Sequence, residues 1–376
     1  MSVLVRTDRL VTATAVVEHG WVLVEDGRVA AVGSGEAPRH DSVVEPTGTV
    51  LPGFVDLHAH GALGHDFASC TADEARTAVA HHAGRGTTAV VASVATGTPD
   101  ATEAALRRLR PLVADGTLAG LHLEGPWLAP SRRGAHAADL LHAPTTAEVE
   151  RFLDAGGGAL RIVTLAPELP GASDAITRLA DAGVVVAIGH TDADADTTRR
   201  AVDAGATLVT HLFNGMPPLH HRAPGPVGVA LTDDRLTVEL IVDGHHLDDT
   251  TVDLVLDGVG GRAVLVSDAM AATGCPDGEY RIAGSAVVVT DGVAMLADGS
   301  SLAGSTSTVA DGVARLLARS GTPTTAQLVE AVTVSSANAA RLLGLPGPLS
   351  VGSRADLVHI APGTDSPRPL VVEASA

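Results

Sequence analysis

From Thr88 onward the chain alternates short, nearly unbroken runs of Val, Ala and Leu with polar segments of helical length. Strands covered on both faces need apolar side chains at every position, so such runs predict buried parallel strands joined by crossover helices. With an earlier run, eight can be placed: Val50–Leu57, Thr88–Ala95, Leu118–Leu123, Leu160–Leu165, Val184–Ile188, Thr207–Leu212, Val238–Val242 and Ala263–Val266. Eight repeats of strand and helix predict a closed (β/α)8 barrel of the TIM type over residues 51–344. Helix punctuation agrees: Thr71-x-x-Glu74 and Thr145-x-x-Glu148 read as capping boxes. Asp-Ala-Gly recurs at 154–156, 181–183 and 203–205, placing a glycine where a helix would stop.

The first fifty residues follow another pattern. Trp21–Glu25 and Val29–Val32 flank Asp26-Gly27, a strong hairpin signal with no room for a crossover helix. After a helical segment at Thr325–Leu343, Leu349–Ile360 and Pro369–Glu373 again read as strands. Residues 1–50 and 345–376 are therefore expected to pair into one small β-sandwich domain beside the barrel.

Composition narrows the function classes. The chain has 376 residues, 45% of them hydrophobic, and a formal charge of −19, which excludes the basic face of a nucleic-acid binder. No apolar run approaches the ~20 residues of a membrane helix, and the first ten residues, with Arg6, Asp8 and Arg9, do not read as a signal peptide. Cys70 and Cys275 fit no metal or redox spacing and read as core residues of a cytoplasmic protein. All 25 basic residues are arginine. Schiff-base, P-loop and carbamylated-lysine chemistries are thereby excluded, since each needs an amine that this chain lacks.

Nearly every barrel run ends in a residue that binds metal or moves protons: His58 and His60, Glu124, His190, His211, His246 and Asp268. Strand C-termini converge on one face of a barrel, so these residues become neighbours there. His58-x-His60 sets two imidazoles on one side of a strand, which suits two bonds to one divalent ion. With Glu124, His190 and His211 the ligand count suffices for two ions bridged by Glu124, which needs no modified lysine. Asp268 is the natural proton carrier, its alternative being an N-cap before Ala269. His122 reads as a buried structural residue, and Trp127 as either core or a sugar contact.

These residues sit in motifs that resemble the N-acetylglucosamine-6-phosphate deacetylases of the amidohydrolase superfamily. The motifs are Pro52-Gly-Phe-Val-Asp-Leu-His-Ala-His60, His122-Leu-Glu-Gly-Pro126 with Gly134-Ala-His136, Gly189-His190-Thr191, Thr210-His-Leu-Phe-Asn-Gly-Met-Pro217, Asp243-Gly-His-His246, Ser267-Asp-Ala269 and Leu302-Ala-Gly-Ser305. The resemblance implies a metal-dependent deacetylase of amino-sugar catabolism and cell-wall recycling. It implies one or two divalent ions per chain (zinc, or iron or manganese), with Glu124, His190 and His211 holding one and His58, His60 and Asp268 a second. It also implies Asp268 as catalytic acid and base, and His136 as the group polarising the acetyl carbonyl. Asn214, Gly215, Arg222, His246 and Ser305 fall on the substrate side, Gly215 standing where alanine is usual. Arg222 and His246 match phosphate binders, the arginine reaching across a homodimer. Two alternatives remain: deacetylation of another N-acyl sugar or amino acid, or a barrel that binds without catalysis.

Overall fold

The computed structural model describes residues 1–372 apart from Ser320, Asp365 and Val371. Eight parallel strands form one sheet in strict sequence order: Phe54–Ala59, Thr87–Ala95, Gly120–Glu124, Leu160–Leu165, Val185–Ile188, Ala206–Val209, Thr237–Leu240 and Ala263–Leu265. A parallel bridge between Ala59 and Ala269 brings the last strand's end back to the first, so the sheet closes as a barrel. Helices Ala72–Ala83, Pro99–Ala114, Thr146–Gly156, Ala172–Asp181, Ala195–Asp203, Gly225–Thr232 and Asp249–Gly258 fall between successive strands. No helix among the described residues is long and apolar enough to cross a membrane.

The expected run Val50–Leu57 breaks at Gly53. Thr49–Pro52 pairs antiparallel with Leu357–Ile360 in a separate sheet, and only Phe54–Ala59 enters the barrel. That separate sheet has the order Arg368–Leu370, Leu357–Ile360, Thr49–Pro52, Arg9–Val11 and Val16–Glu18. A four-stranded sheet runs Arg28–Ser34, Gly20–Glu25, Ser2–Arg6 and Ser42–Val44. Val5, Val22, Val24 and Val29 of the four-stranded sheet share one core with Leu10, Val50 and Leu357 of the other, which makes the pair a sandwich. Asp26 and Gly27, with φ of +48° and +74°, form the predicted hairpin turn. Val371 and Glu373 of the expected terminal strand lie outside the described residues.

The chain divides into two compact units, one of residues 1–56, 82–89 and 309–376, the other of residues 57–81 and 90–308. Helices Val309–Ala318 and Thr325–Val332 thus group with the termini, whereas the sequence pattern assigns them to the barrel. Thr325–Val332 packs on strands Arg9–Val11 and Val16–Glu18, an attachment that helical periodicity does not encode. One further element goes unpredicted. After the last barrel strand the chain forms an antiparallel sheet of Gly278–Ile282, Ser285–Thr290 and Val293–Leu296, whose Ile282, Val287, Val289 and Leu296 pack with Met270 and Ala135.

Local punctuation mostly follows the sequence. Thr71 and Glu74 exchange both hydrogen bonds of a capping box. Gly183 and Gly205 take positive φ just beyond their helices, but Gly156 stays helical and Gly157 makes the stop. Thr145 caps Glu148 N, yet the Glu148 carboxylate turns instead to Trp127 Nε1 at 2.7 Å and His142 Nε2 at 2.8 Å. This settles Trp127 as core: it is fully buried, with its ring 5.7 Å from that of Phe152. Cys70 and Cys275 are unpaired, and burial pushes the Cys70 thiol up to about 11. Trp127→Phe keeps the ring packing but removes the donor to a carboxylate, so denaturant unfolding should show a loss of about 1.5–3 kcal/mol. A loss below about 0.5 kcal/mol, the range of ordinary surface changes, would contradict the role given to that bond.

Candidate metal centre and active site

The candidate ligands come from strand ends, as a barrel requires. His58 lies in the first strand and His60 one residue past it, Glu124 ends the third, and His190, His211 and Asp268 follow the fifth, sixth and eighth. The last three have left-handed backbones, with φ of +48°, +28° and +48°. Such a conformation is costly for a residue with a Cβ, so it persists only where the surroundings fix it. Here they do. His190 O accepts from Ala129 N at 2.8 Å, and Asp268 donates its N–H to His58 O at 2.8 Å and accepts from Ser305 N at 2.7 Å. His211 N–H donates to Glu239 Oε2 at 3.1 Å, and its O accepts from Asn214 N at 2.9 Å. Because Ala269, directly after Asp268, bridges to Ala59 and Ser305 and starts no helix, the N-cap alternative falls away.

Two groups of ligand atoms result, His58 with His60 and Asp268, and Glu124 with His190 and His211. All six residues are buried. In the first group His58 Nε2 lies 3.1 Å from His60 Nε2, and Asp268 Oδ1 lies 3.5 and 3.3 Å from the two. In the second, Glu124 Oε1 is 3.1 Å from His190 Nε2 and 3.3 Å from His211 Nε2. Glu124 joins the groups, since its Oε2 lies 3.1 Å from His60 Nε2 and 3.3 Å from His136 Nε2.

The hydrogen bonds test whether a cation fits. His190 Nδ1 faces Arg132 O at 2.8 Å and His211 Nδ1 faces Asn214 O at 3.2 Å; both must donate, which leaves the two Nε2 atoms as lone pairs in the neutral rings. Those two Nε2 atoms are 3.0 Å apart and share Glu124. Nitrogen lone pairs and carboxylate oxygens converging at such distances repel unless positive charge lies among them, so the donor set fits a divalent ion. In the ion-free cluster protons supply that charge. Burial alone would depress His58, His60 and His190, but Glu124, with Asp268 beside the first two, raises all three, His60 to about 9. Burial opposes ionisation of Glu124 and Asp268, yet His58, with His136 beside the first and His60 beside the second, holds both well below the usual carboxylate range. For His136 burial prevails over Glu124 and lowers its pKa, leaving a neutral ring.

His60, Glu124, His136, His190, His211 and Asp268 open into a cavity of about 390 Å³, lined also by Arg132, Asn214, Gly215, His246, Ile282 and Leu302. His246 is fixed through Nδ1 to Asp243 Oδ2 at 2.8 Å. Gly215 has φ +62°, and a Cβ there would meet His190 Nδ1 at 3.0 Å, so alanine at this position would press on a ligand ring. Two expected substrate contacts stand elsewhere. Ser305 is buried outside the cavity lining, its hydroxyl donating to Ser267 O at 2.5 Å and its backbone N–H to Asp268 O at 2.7 Å. Arg222 is exposed, outside the cavity lining of its own chain, with Nη1 donating to His221 Nε2 at 2.7 Å. His122, as expected, is structural: its ring nitrogens bond Ser93 Oγ at 2.9 Å and Thr164 Oγ1 at 2.8 Å inside the barrel.

Two residues were missed from sequence. Arg132 brings a guanidinium to the cavity, held by Asp192 Oδ1 at 2.5 Å; its signal was the Ser-Arg-Arg run before Gly134-Ala-His136. Glu239 is fully buried behind the ligands, and its signal was a single carboxylate inside the apolar run Val238–Val242.

Comparison with known proteins agrees with this geometry. The chain is similar to the structure of an N-acetyl-D-glucosamine-6-phosphate deacetylase from Mycobacterium smegmatis, an aspartate-to-alanine mutant in complex with N-acetyl-D-glucosamine-6-phosphate. Identity is 43%, coverage 97% of this chain and 96% of that one, and the TM-score 0.94. It is 36% identical over 372 residues to an N-acetylgalactosamine-6-phosphate deacetylase of Escherichia coli O157:H7, covering 96% of both. To an N-acetylglucosamine-6-phosphate deacetylase of Bacillus subtilis (strain 168) it is 32% identical over 375 residues, or 96% of this chain and 93% of the relative. The amidohydrolase family model matches residues 49–375, and on that span, with both ligand groups inside it, the chain belongs to the amidohydrolase family.

Proposed function

We propose that this protein hydrolyses N-acetylglucosamine-6-phosphate to glucosamine-6-phosphate and acetate in the cytoplasm. The observation that carries the reading is the joining of two buried ligand groups through Glu124 at the floor of a cavity that also presents Asp268, His136, Asn214 and His246. The cavity volume lies in the range of about 300–1,000 Å³ usual for small-molecule sites. The amidohydrolase family is metal-dependent, and these groups would hold one or two ions; the imidazole-rich set suits Zn²⁺ best, with iron or manganese as alternatives.

A divalent ion bound there supplies Lewis acidity toward a carbonyl oxygen and lowers the pKa of water. Asp268 is ionised and takes the proton of the attacking water. His136, neutral, donates a hydrogen bond to the acetyl oxygen as negative charge develops on it. The water oxygen bonds to the acetyl carbon, the carbon–nitrogen bond breaks, and Asp268 returns the proton to the departing amine.

Phosphate recognition is local, because a net charge of −19 gives no long-range attraction. His246 and Arg132 offer donors in the cavity, with polar contacts from Asn214 and the Gly215 backbone. Arg222 serves the cavity of a second copy in a homodimer. The similarity to the E. coli N-acetylgalactosamine-6-phosphate deacetylase favours a second reading, in which the C4 epimer is the substrate.

Acetate release from both 6-phosphorylated epimers and from unphosphorylated N-acetylglucosamine decides among these. The gluco 6-phosphate should give the highest kcat/KM, at least ~10-fold above the unphosphorylated sugar, equal to roughly 1.4 kcal/mol. Preference for the galacto epimer would select the second reading, and equal use of the unphosphorylated sugar would refute phosphate recognition. Asp268→Asn should lose at least ~10²-fold in kcat with the ion at Glu124, His190 and His211 retained. Mixed with Arg222→Ala chains it should regain activity in heterodimers, whereas no recovery would return Arg222 to its own subunit. Finally, His60 at about 9 carries a proton at pH 7 that a metal ion must displace. Adding Zn²⁺ to chelated protein in weak buffer at pH 7 should therefore release at least about one proton per chain, with affinity rising from pH 6 to 8. Binding without proton release would contradict the ligand assignment.

A further inference from the structure

Glu239 has no place in the chemistry above, yet it is the buried carboxylate most closely tied to both ligand groups without belonging to either. It lies in the seventh barrel strand, Thr237–Leu240, which supplies no ligand, and it is wholly shielded from solvent. One oxygen, Oε2, lies 3.2 Å from His58 Nδ1 and accepts the backbone N–H of His211 at 3.1 Å. The other, Oε1, has no hydrogen-bond partner among the described residues. A strand of this kind is satisfied by a valine or leucine at every position. An oxygen left unpaired in the interior is a cost that packing does not explain, so its benefit must lie in the contacts of its twin.

Those contacts fix a ligand. Imidazole can present a lone pair from either nitrogen, and a carboxylate facing Nδ1 holds the proton there and leaves Nε2 to ligate. His58 Nε2 is the atom that faces His60 and Asp268. The ring is also held edge-on by His122, with centroids 4.6 Å apart and planes at 87°. His122 cannot set the tautomer of His58, because its own two nitrogens are engaged by Ser93 and Thr164. Glu239 Oε2 meets His58 Nδ1 at 3.2 Å, and through His211 N–H it braces the left-handed turn that aims a residue of the other group.

We propose that Glu239 is a positioning residue for the metal centre: it orients His58 through Nδ1 and so sets the affinity of the ion held by His58, His60 and Asp268. The inference rests on the metal-dependent reading above. Chelated protein titrated with Zn²⁺ alone, followed by calorimetry and by elemental analysis after dialysis, tests it without any measure of turnover. His58→Gln marks which Zn²⁺ equivalent depends on that ligand. Glu239→Gln, of the same shape and still able to accept a hydrogen bond, should weaken the marked equivalent by about 10–100-fold, the usual scale for losing such an outer partner, and leave the other within about threefold. Glu239→Val, which can accept nothing, should weaken it further; where Val fails to fold, the Gln variant carries the test alone. A purely structural role for Glu239 would lower the melting temperature of the ion-free protein without this selectivity. Unchanged affinity at every equivalent, or a loss confined to the equivalent that His58→Gln leaves intact, would overturn the proposal. Wild-type protein that binds no Zn²⁺ would overturn the metal-dependent reading and this inference with it.

Discussion

The site depends on one buried carboxylate. Glu124 is surrounded by the Nε2 atoms of His58, His60, His136, His190 and His211, all within 3.5 Å. A lone carboxylate in the interior would cost several kcal/mol and would protonate instead. Ringed by imidazoles it stays ionised, and it in turn raises His58, His60 and His190 against the effect of burial. Neither side is stable there without the other. The barrel makes this possible, because it is the closure of the sheet that carries the ends of the first, third, fifth, sixth and eighth strands to one point.

Closure alone does not aim the side chains. His190, His211 and Asp268 point inward because each sits in a left-handed turn, a conformation held by hydrogen bonds from neighbouring segments rather than by its own sequence. Ser305 and Glu239 contribute through those bonds. The first donates its N–H to the carbonyl of the Asp268 turn, and the second accepts the N–H of the His211 turn. Residues that never face the cavity therefore decide what the cavity presents, and the unpredicted sheet at Gly278–Leu296 contributes Ile282 to its wall.

The barrel and the strand-end cluster of candidate ligands are legible in the sequence for a common reason. Strands buried on both faces leave an apolar run, and a polar residue just beyond such a run stands out. Boundaries blur at the same places: the apolar run Thr207–Leu212 predicts a strand, but the regular part is Ala206–Val209, since the chain leaves the sheet as it turns into His211. Gly53 hid a change of sheet inside one apolar run, because both flanking strands are buried and composition does not record which partner a strand takes. Ser305 resembled a substrate contact because its motif adjoins the site; the contact it makes, to Ser267 O, is a tertiary fact with no pattern in the chain. Arg132 and Glu239 left visible marks, a basic pair in a loop and one acid in an apolar strand, but only the fold shows what each faces.

The strand-end cluster suits a cation, with Glu124 common to both groups. Crystals of the protein grown with Zn²⁺, with anomalous diffraction recorded above and below the zinc edge, test it most directly. An anomalous peak in coordinating contact with Glu124, His190 and His211 is the expected result. Well-ordered crystals in which zinc binds elsewhere while those three side chains keep their present contacts without a peak among them would contradict it.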